Sequence, residues 1–262
     1  MRRLTTLSRL AALSASAVLL AACSGTPTYN SSTYGYKIDQ KKLDAQPVRT
    51  VVLAHVNLGT QSRNYLEKQA PRIDAQVAAY LKENGFKVLP QREFEQHWKT
   101  AVRAFGDPVD PTSGKVNMKT FAQIMHKVRD QMAKSNEIDA FIFTDLVEFD
   151  VSFSGGLKHL ARWDGVTRAP TMQGPGDGVS MDFDWGMLAA VVSLQVTIYD
   201  KNLDPLFSSR GGIDATEAID SRSSKGRFIR RRNILENDSN IMEGIQLAFY
   251  PFIAWEGWPG NP

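Results

Sequence analysis

The sequence predicts an α/β fold, a single mixed-sheet sandwich with the element order βαβααβββα. Three observations carry this. Residues 50–56 (TVVLAHV) are β-branched and almost wholly apolar, as in a strand covered on both faces. Helical periods then alternate with short apolar runs up to residue 134, which implies parallel pairing. Beyond residue 140 the period falls to two, and Asp200-Lys201-Asn202 joins two apolar runs as an antiparallel hairpin.

Order begins near Arg49. Ile73, Val77, Tyr80 and Leu81 fall on one helical face and predict a helix over 71–84. Pro71 suits its first turn and Gly85 the position just past its end. Residues 86–89 form a short second strand. Phe94, Trp98, Val102 and Phe105 stripe the next helix, and the Asp-Pro pairs of 106–114 mark a loop. Phe121, Ile124, Met125, Val128 and Met132 stripe a third helix over 118–134. The strand 140–153 begins apolar on both faces. It ends in alternation, with Val147, Phe149, Val151 and Phe153 against Glu148, Asp150 and Ser152. That is the pattern of a central strand whose far end becomes one-sided. Asp145 interrupts its apolar face, and a bulge or strand end is expected to turn it outward.

Residues 155–186 are rich in Gly, Pro and Asp and read as an aperiodic insertion. The run 188–199 returns to period two, with Leu188, Ala190, Val192, Leu194, Val196 and Ile198 inward. Residues 206–209 pair with it, and Gly211-Gly212 is expected to end that pairing. A last helix starts near Asn240, with Asn240 as cap and Glu243 reaching back in a capping box. Ile241, Ile245, Ala248, Phe249 and Phe252 are its buried stripe. The aromatic tail at 255–259 reads as loop.

Ahead of this domain (48–262) lie two other segments. Residues 1–22 combine a basic start, an apolar stretch over 10–20 and small residues before a cut site, which is a secretory signal peptide. The apolar run is too short to span a bilayer, which needs about 20 residues. Residues 23–47 are mostly small and polar and read as a flexible tether, reaching ~80 Å when fully extended.

The tetrapeptide Leu20-Ala21-Ala22-Cys23 resembles the lipobox of bacterial lipoproteins, in which diacylglycerol is attached to the cysteine. The resemblance implies a mature chain that starts at Cys23 and hangs from a membrane by covalent lipid. Ser24, rather than aspartate, after the cysteine implies the outer membrane, facing the periplasm. Cys23 is the only cysteine, so the chain contains no intrachain disulfide and must fold by packing alone.

The leader also explains the charge. The whole chain is +3, and residues 1–22 supply three arginines and no acid. The mature chain therefore has 28 basic and 28 acidic residues, which argues against a nucleic-acid partner.

The strand at 49–56, the helix ending in Asn84-Gly85-Phe86, and Val88-Leu89-Pro90 with its following helix resemble the amino-terminal domain of TolB-like proteins. That group includes activator lipoproteins of penicillin-binding proteins and the curli secretion lipoprotein. The later strands and Gly211-Gly212 fit the same order, so the resemblance spans roughly 48–250. The insertion at 155–186 departs from it.

Few residues carry chemistry. His55, His97, His126 and His159 show no metal-ligand spacing, so no metal is expected. Asp177, Asp182 and Asp184 lack both EF-hand spacing and a closing glutamate and read as a plain polar loop. No cofactor is expected beyond the lipid on Cys23. The sharpest charge feature is Arg222, Lys225, Arg227, Arg230, Arg231 and Arg232, with no acid among them. It reads either as a contact for anionic headgroups or an acidic partner, or as a solvated loop balancing the acidic stretch 137–150.

These features point away from an enzyme and toward a lipid-anchored binding module of an envelope machine, either a cell-wall synthase or a transport or secretion complex. The second reading is an oligomeric, channel-forming assembly subunit, in which the alternating strands join a barrel. An envelope hydrolase is third: there is no Gly-x-Ser-x-Gly elbow, and the only cysteine is taken by lipid.

Overall fold

A computed structural model of the protein describes residues 35–55, 64–110, 112–113, 115–176, 178–222 and 226–256. Cys23, Lys225, Asp177, the signal segment and Trp258 lie outside the described residues. The chain opens with β1 (Tyr36–Ile38), α1 (Gln40–Ala45) and β2 (Thr50–His55). Then come α2 (Asn64–Glu67), α3 (Ala70–Glu83), β3 (Lys87–Leu89), α4 (Gln91–Phe105) and α5 (Met118–Met132). The strands β4 (Ala140–Ser152), β5 (Ala161–Trp163), β6 (Val166–Arg168), β7 (Met172–Gln173) and β8 (Leu188–Asp200) follow. The chain continues through β9 (Pro205–Ala215), β10 (Glu217–Asp220), β11 (Phe228–Arg230) and α6 (Asp238–Phe249).

The main sheet has the order β1-β9-β8-β4-β2-β3. β3, β2 and β4 run parallel, while β8, β9 and β1 add antiparallel. The α/β class with a mixed sheet therefore stands. Two small assemblies join it: a β5–β6 hairpin and a three-stranded sheet ordered β11-β10-β7.

Helices cover both faces. On one face Ile73, Val77 and Leu81 of α3 and Ile241, Ile245 and Phe249 of α6 pack on Val51, Leu53, Ile142, Leu194, Val196 and Ile198. On the other, Phe94 and Ala101 of α4 and Ile124, Val128 and Met132 of α5 pack on Val52, Ala54 and Phe141. The first half of β4 is thus buried on both sides, as its continuous apolar run requires. Beyond Leu146 its residues are half-buried or exposed.

Five local expectations need correction. The expected tether contains β1, an edge strand on β9, and α1, which Asp39 caps through the Lys42 amide. The expected aperiodic insertion contains β5, β6 and β7. Asp145 sits in unbroken register opposite Gln195, half-buried, with no bulge. The last helix is capped by Asn237, whose side chain accepts from the Ser239 and Asn240 amides. Glu243 reaches instead for Arg168, at 2.5 Å.

The fifth correction concerns the glycines. Gly211-Gly212 does not end the pairing: Gly211 faces Leu194, Gly212 faces Ser193, and β9 runs on to Ala215. A Cβ on Gly211 would lie 1.9 Å from the Gly244 carbonyl oxygen of α6. A Cβ on Gly212 would lie 2.4 Å from Val166 and 2.8 Å from the Trp163 carbonyl oxygen. The pair therefore admits a helix on one face of β9 and the β5–β6 hairpin on the other. Glycine serves here for close backbone approach, not as a breaker.

Gly211→Ala should destabilise the fold by about 2–3 kcal/mol, because the nearest atoms are all α6 backbone, which leaves nothing soft to yield. Gly178→Ala, with open space around it, should stay within about 0.5 kcal/mol of wild type. Urea unfolding of both variants checks this, and equal midpoints would refute the close-approach account.

Candidate functional site

Polar groups converge where β4 leaves the core. Alternation puts Thr144, Leu146 and Glu148 on the α3–α6 face in turn. Thr144 donates to Asp74 of α3 at 2.8 Å, and both residues are buried. Glu148 lies two positions past the core residue Leu146. Three donors from three other elements meet its Oε1.

Tyr65, on α2, donates its hydroxyl to Glu148 in a short hydrogen bond. Thr216, in the single-residue link between β9 and β10, donates at 2.6 Å and is wholly buried. Arg230, at the end of β11, places Nη1 2.5 Å from the same oxygen. That nitrogen is also 2.7 Å from Tyr65 Oη and 2.7 Å from Thr216 Oγ1. The guanidinium carbon sits 4.3 Å from the Tyr65 ring centre, within cation–π range.

The electrostatics follow from this packing. Burial pushes the Glu148 carboxyl up, but hydrogen bonds from Thr216, Tyr65 and Arg230 outweigh it and hold the group below the usual glutamate range. Burial, then the Glu148 hydrogen bond and charge, push the Tyr65 phenol up to about 12. Glu148 is therefore a fixed anion and Tyr65 a fixed donor. A general base works best near the ambient pH, and neither group is poised there. The arrangement suits holding elements together.

The basic segment is largely occupied in the same way. Arg222 and Arg227 reach the nearly buried carboxylate of Asp220 at 2.9 and 3.5 Å. Arg222 is the main cause that keeps this carboxyl below its usual range. Arg231 pairs with Asp214 at 2.8 Å and donates to the Ala215 carbonyl oxygen at 2.8 Å. Arg232 is exposed, and its amide donates to Gln173. The segment expected as a patch or solvated loop thus contains a strand, β11. Its cations pair with Glu148, Asp214 and Asp220. Of the acidic stretch 137–150, Asp139 serves elsewhere, accepting from the Arg49 and Thr50 amides at the start of β2.

Sequence reading missed Tyr65, Thr216, Asp214 and Asp220. Asp220 had a visible signal: it is the acid immediately preceding the basic run. The other three are joined to it only by long-range pairing.

Among the other singled-out residues, His126 is exposed and His159 stacks on Trp185 with ring centres 3.4 Å apart. Asp184 caps its own loop by accepting from the Gly186 amide. Among the described residues no group of three or more His, Cys, Asp and Glu side chains is placed to hold a metal. No helix of the described residues is long and apolar enough to cross a membrane. At the opposite end of the sheet, Phe121, Met125, Phe143, Tyr199 and Leu203 line a crevice of about 310 Å³.

No family model, curated protein or solved structure matches the chain.

Glu148→Gln should cost about 2 kcal/mol at neutral pH, since hydrogen bonds to a charged group are the strong ones. The folded pKa of Glu148 is lowered, so its contribution is full above the unfolded value near 4.5 and is lost as pH falls through the folded value. The stability gap between wild type and Glu148→Gln should therefore close on acidification. A gap unchanged between pH 7 and pH 3 would remove Glu148 from this role.

Tyr65 and Tyr80 both have phenols raised to about 12. The raised values contribute stability that is complete below pH 10 and is lost as pH climbs toward 12. Spectrophotometric titration should show two late phenols, and Tyr65→Phe should remove one of them.

Proposed function

We propose that the protein is a lipid-anchored periplasmic binding module of an envelope machine, held at the outer membrane through Cys23. A cell-wall synthase or a transport or secretion complex is the partner class that the TolB-like resemblance favours. One observation carries the reading: Leu20-Ala21-Ala22-Cys23 stands just ahead of an ordered domain whose first strand begins at Tyr36. Only residues 24–35 separate the two. Twelve residues span ~40 Å at most, so the anchor would keep the domain near its membrane.

The convergent polar site supports a non-catalytic role, because its carboxylates are tied up by donors of the same fold. β4 and β8 are inner strands, with β2 and β9 hydrogen-bonded to their outer edges. That supports a finished binding domain over strands held in reserve for a barrel.

Palmitate labelling should mark the wild type and not Cys23→Ala, and the variant should leave the outer-membrane fraction. In-cell crosslinking of the full-length protein should then recover an envelope protein that is lost with Cys23→Ala. A ladder of the protein crosslinked only to itself would favour the assembly subunit instead.

A further inference from the structure

The sheet has two unlike ends. The β4–β8 pair closes at Ser152 opposite Leu188, and Val191 of β8 lies opposite Ala215, where β9 passes into β10. The described residues of 153–187 therefore leave and re-enter the sheet at this one end, and the β11-β10-β7 sheet follows from β9 there. Residues 157–188 carry most of the exposed large apolar side chains: Leu157, Met172, Met181 and Leu188 are four of the seven in the described residues. Leu157 and Met181 are completely exposed, at 101 and 102 %.

Single exposed apolar residues are ordinary. These are not scattered. Leu157 is two residues from His159, Met181 is two from Phe183, and Leu188 is three from Trp185. His159 stacks on Trp185, Phe183 packs against Trp185 at a tilt, and Phe183 meets Phe228 of β11 edge-on. An aromatic base thus holds up a rim of exposed Leu and Met, with a half-buried Trp185 beneath.

Cations stand beside these tips, though not in excess. Among described residues, 152–188 and 216–232 carry eight Lys and Arg against five Asp and Glu, and Arg168, Arg230 and Arg231 pair with Glu243, Glu148 and Asp214 from outside those stretches. Lys158 adjoins Leu157, and Lys158, Arg162, Arg222, Arg227 and Arg232 are exposed.

The chain enters from this side. β1 is antiparallel to β9, with Tyr36 opposite Ser209 and Ile38 opposite Phe207. Gly35 therefore lies toward the Ala215 end. Ala215 is six residues further along β9 than Ser209, or ~20 Å, and residues 24–35 reach ~40 Å at most.

We propose that this end of the domain, tipped by Leu157 and Met181 and ringed by Lys158, Arg162 and Arg232, seats on an anionic phospholipid surface. Apolar tips enter the headgroup layer while the cations stay among the phosphates. The proposal rests on the lipid-anchor reading for its geometry, but its contact is separate from the anchor.

The mature chain with Cys23→Ala has no lipid of its own. It should float with phosphatidylcholine vesicles that contain phosphatidylglycerol, float far less without phosphatidylglycerol, and release in high salt. Leu157→Ser/Met181→Ser and Lys158→Glu/Arg162→Glu should each weaken flotation at least tenfold. All four side chains are exposed, so unfolding curves should match wild type. Flotation that is absent, or unchanged in both variants, overturns the proposal. So does concentration-dependent dimerisation lost in the Ser variant without any vesicle binding, since the face then meets a second copy. Mass spectrometry of the wild-type amino terminus judges the anchor independently. A lipidated wild type beside a non-binding Cys23→Ala chain sinks the surface alone, and a binding chain with no lipid on Cys23 sinks the anchor alone.

Discussion

The placement of the far end depends on one carboxylate. Glu148 points from the central strand onto the face that carries the core, two residues past Leu146, and a half-buried anion there needs partners. Its three donors come from α2, from the β9–β10 link and from β11. Satisfying one charge therefore ties together three elements that apolar packing otherwise holds only through single residues such as Leu66 of α2 and Phe228 of β11. The next residue, Arg231, just past the end of β11, meets Asp214 on β9. Two ion pairs thus hold the end of the strand. Three consecutive arginines would otherwise repel one another, so acids on β4 and β9 give the basic segment a reason to fold as a strand.

Packing does the rest by close approach. α6 can lie on β9 only because Gly211 and Gly244 face each other. The β5–β6 hairpin lies on the opposite side because Gly212 leaves room for Trp163 and Val166. Its turn is tied down as well: the Gly212 amide donates to the Asp164 carbonyl oxygen at 2.8 Å, and Ser193 donates to the Asp164 carboxylate at 2.7 Å. Burial raises the Asp164 carboxyl, with Ser193 opposing that shift. On the face opposite α6, the sheet is thus covered near this end by an insertion rather than by helices. That explains why β8 is buried on both faces at 189–194 although α4 and α5 pack over the parallel strands.

Periodicity made the core legible and left the far end obscure. The two-sided run of β2, the stripes of α3 and α5, and the change of pattern along β4 are local signals, and each maps onto the two core clusters. The edge strand β1 is three residues long with two exposed, so it has no burial pattern to read. Gly211-Gly212 was ambiguous because a glycine pair marks a turn and a close approach equally well. Asn237 and Asn240 both offer a cap, and only the distant Arg168 shows why Glu243 is not part of a capping box. The cations at 222–232 were plain to see, but their partners lie up to 82 residues away in the chain, in Glu148. Charge partners carry no period, so the site could be suspected from one half and not assembled.

The two ends of the molecule differ in what they expose. β8 alone is thirteen residues, ~40 Å, from Leu188 to Asp200. The crevice between α5 and the β8–β9 turn lies at the opposite end of β8 from Leu188. That crevice is lined by apolar and aromatic side chains, and Met118 on its rim is 66 % exposed. Its acidic neighbour Asp204 is already engaged by Lys42 of α1, which also raises the pKa of that lysine. α1 in turn follows β1, the edge strand on β9, so the first described segment of the chain is tied to the β8–β9 turn by the Lys42–Asp204 pair. One ion pair therefore links that segment to the rim of the crevice at this end of the sheet.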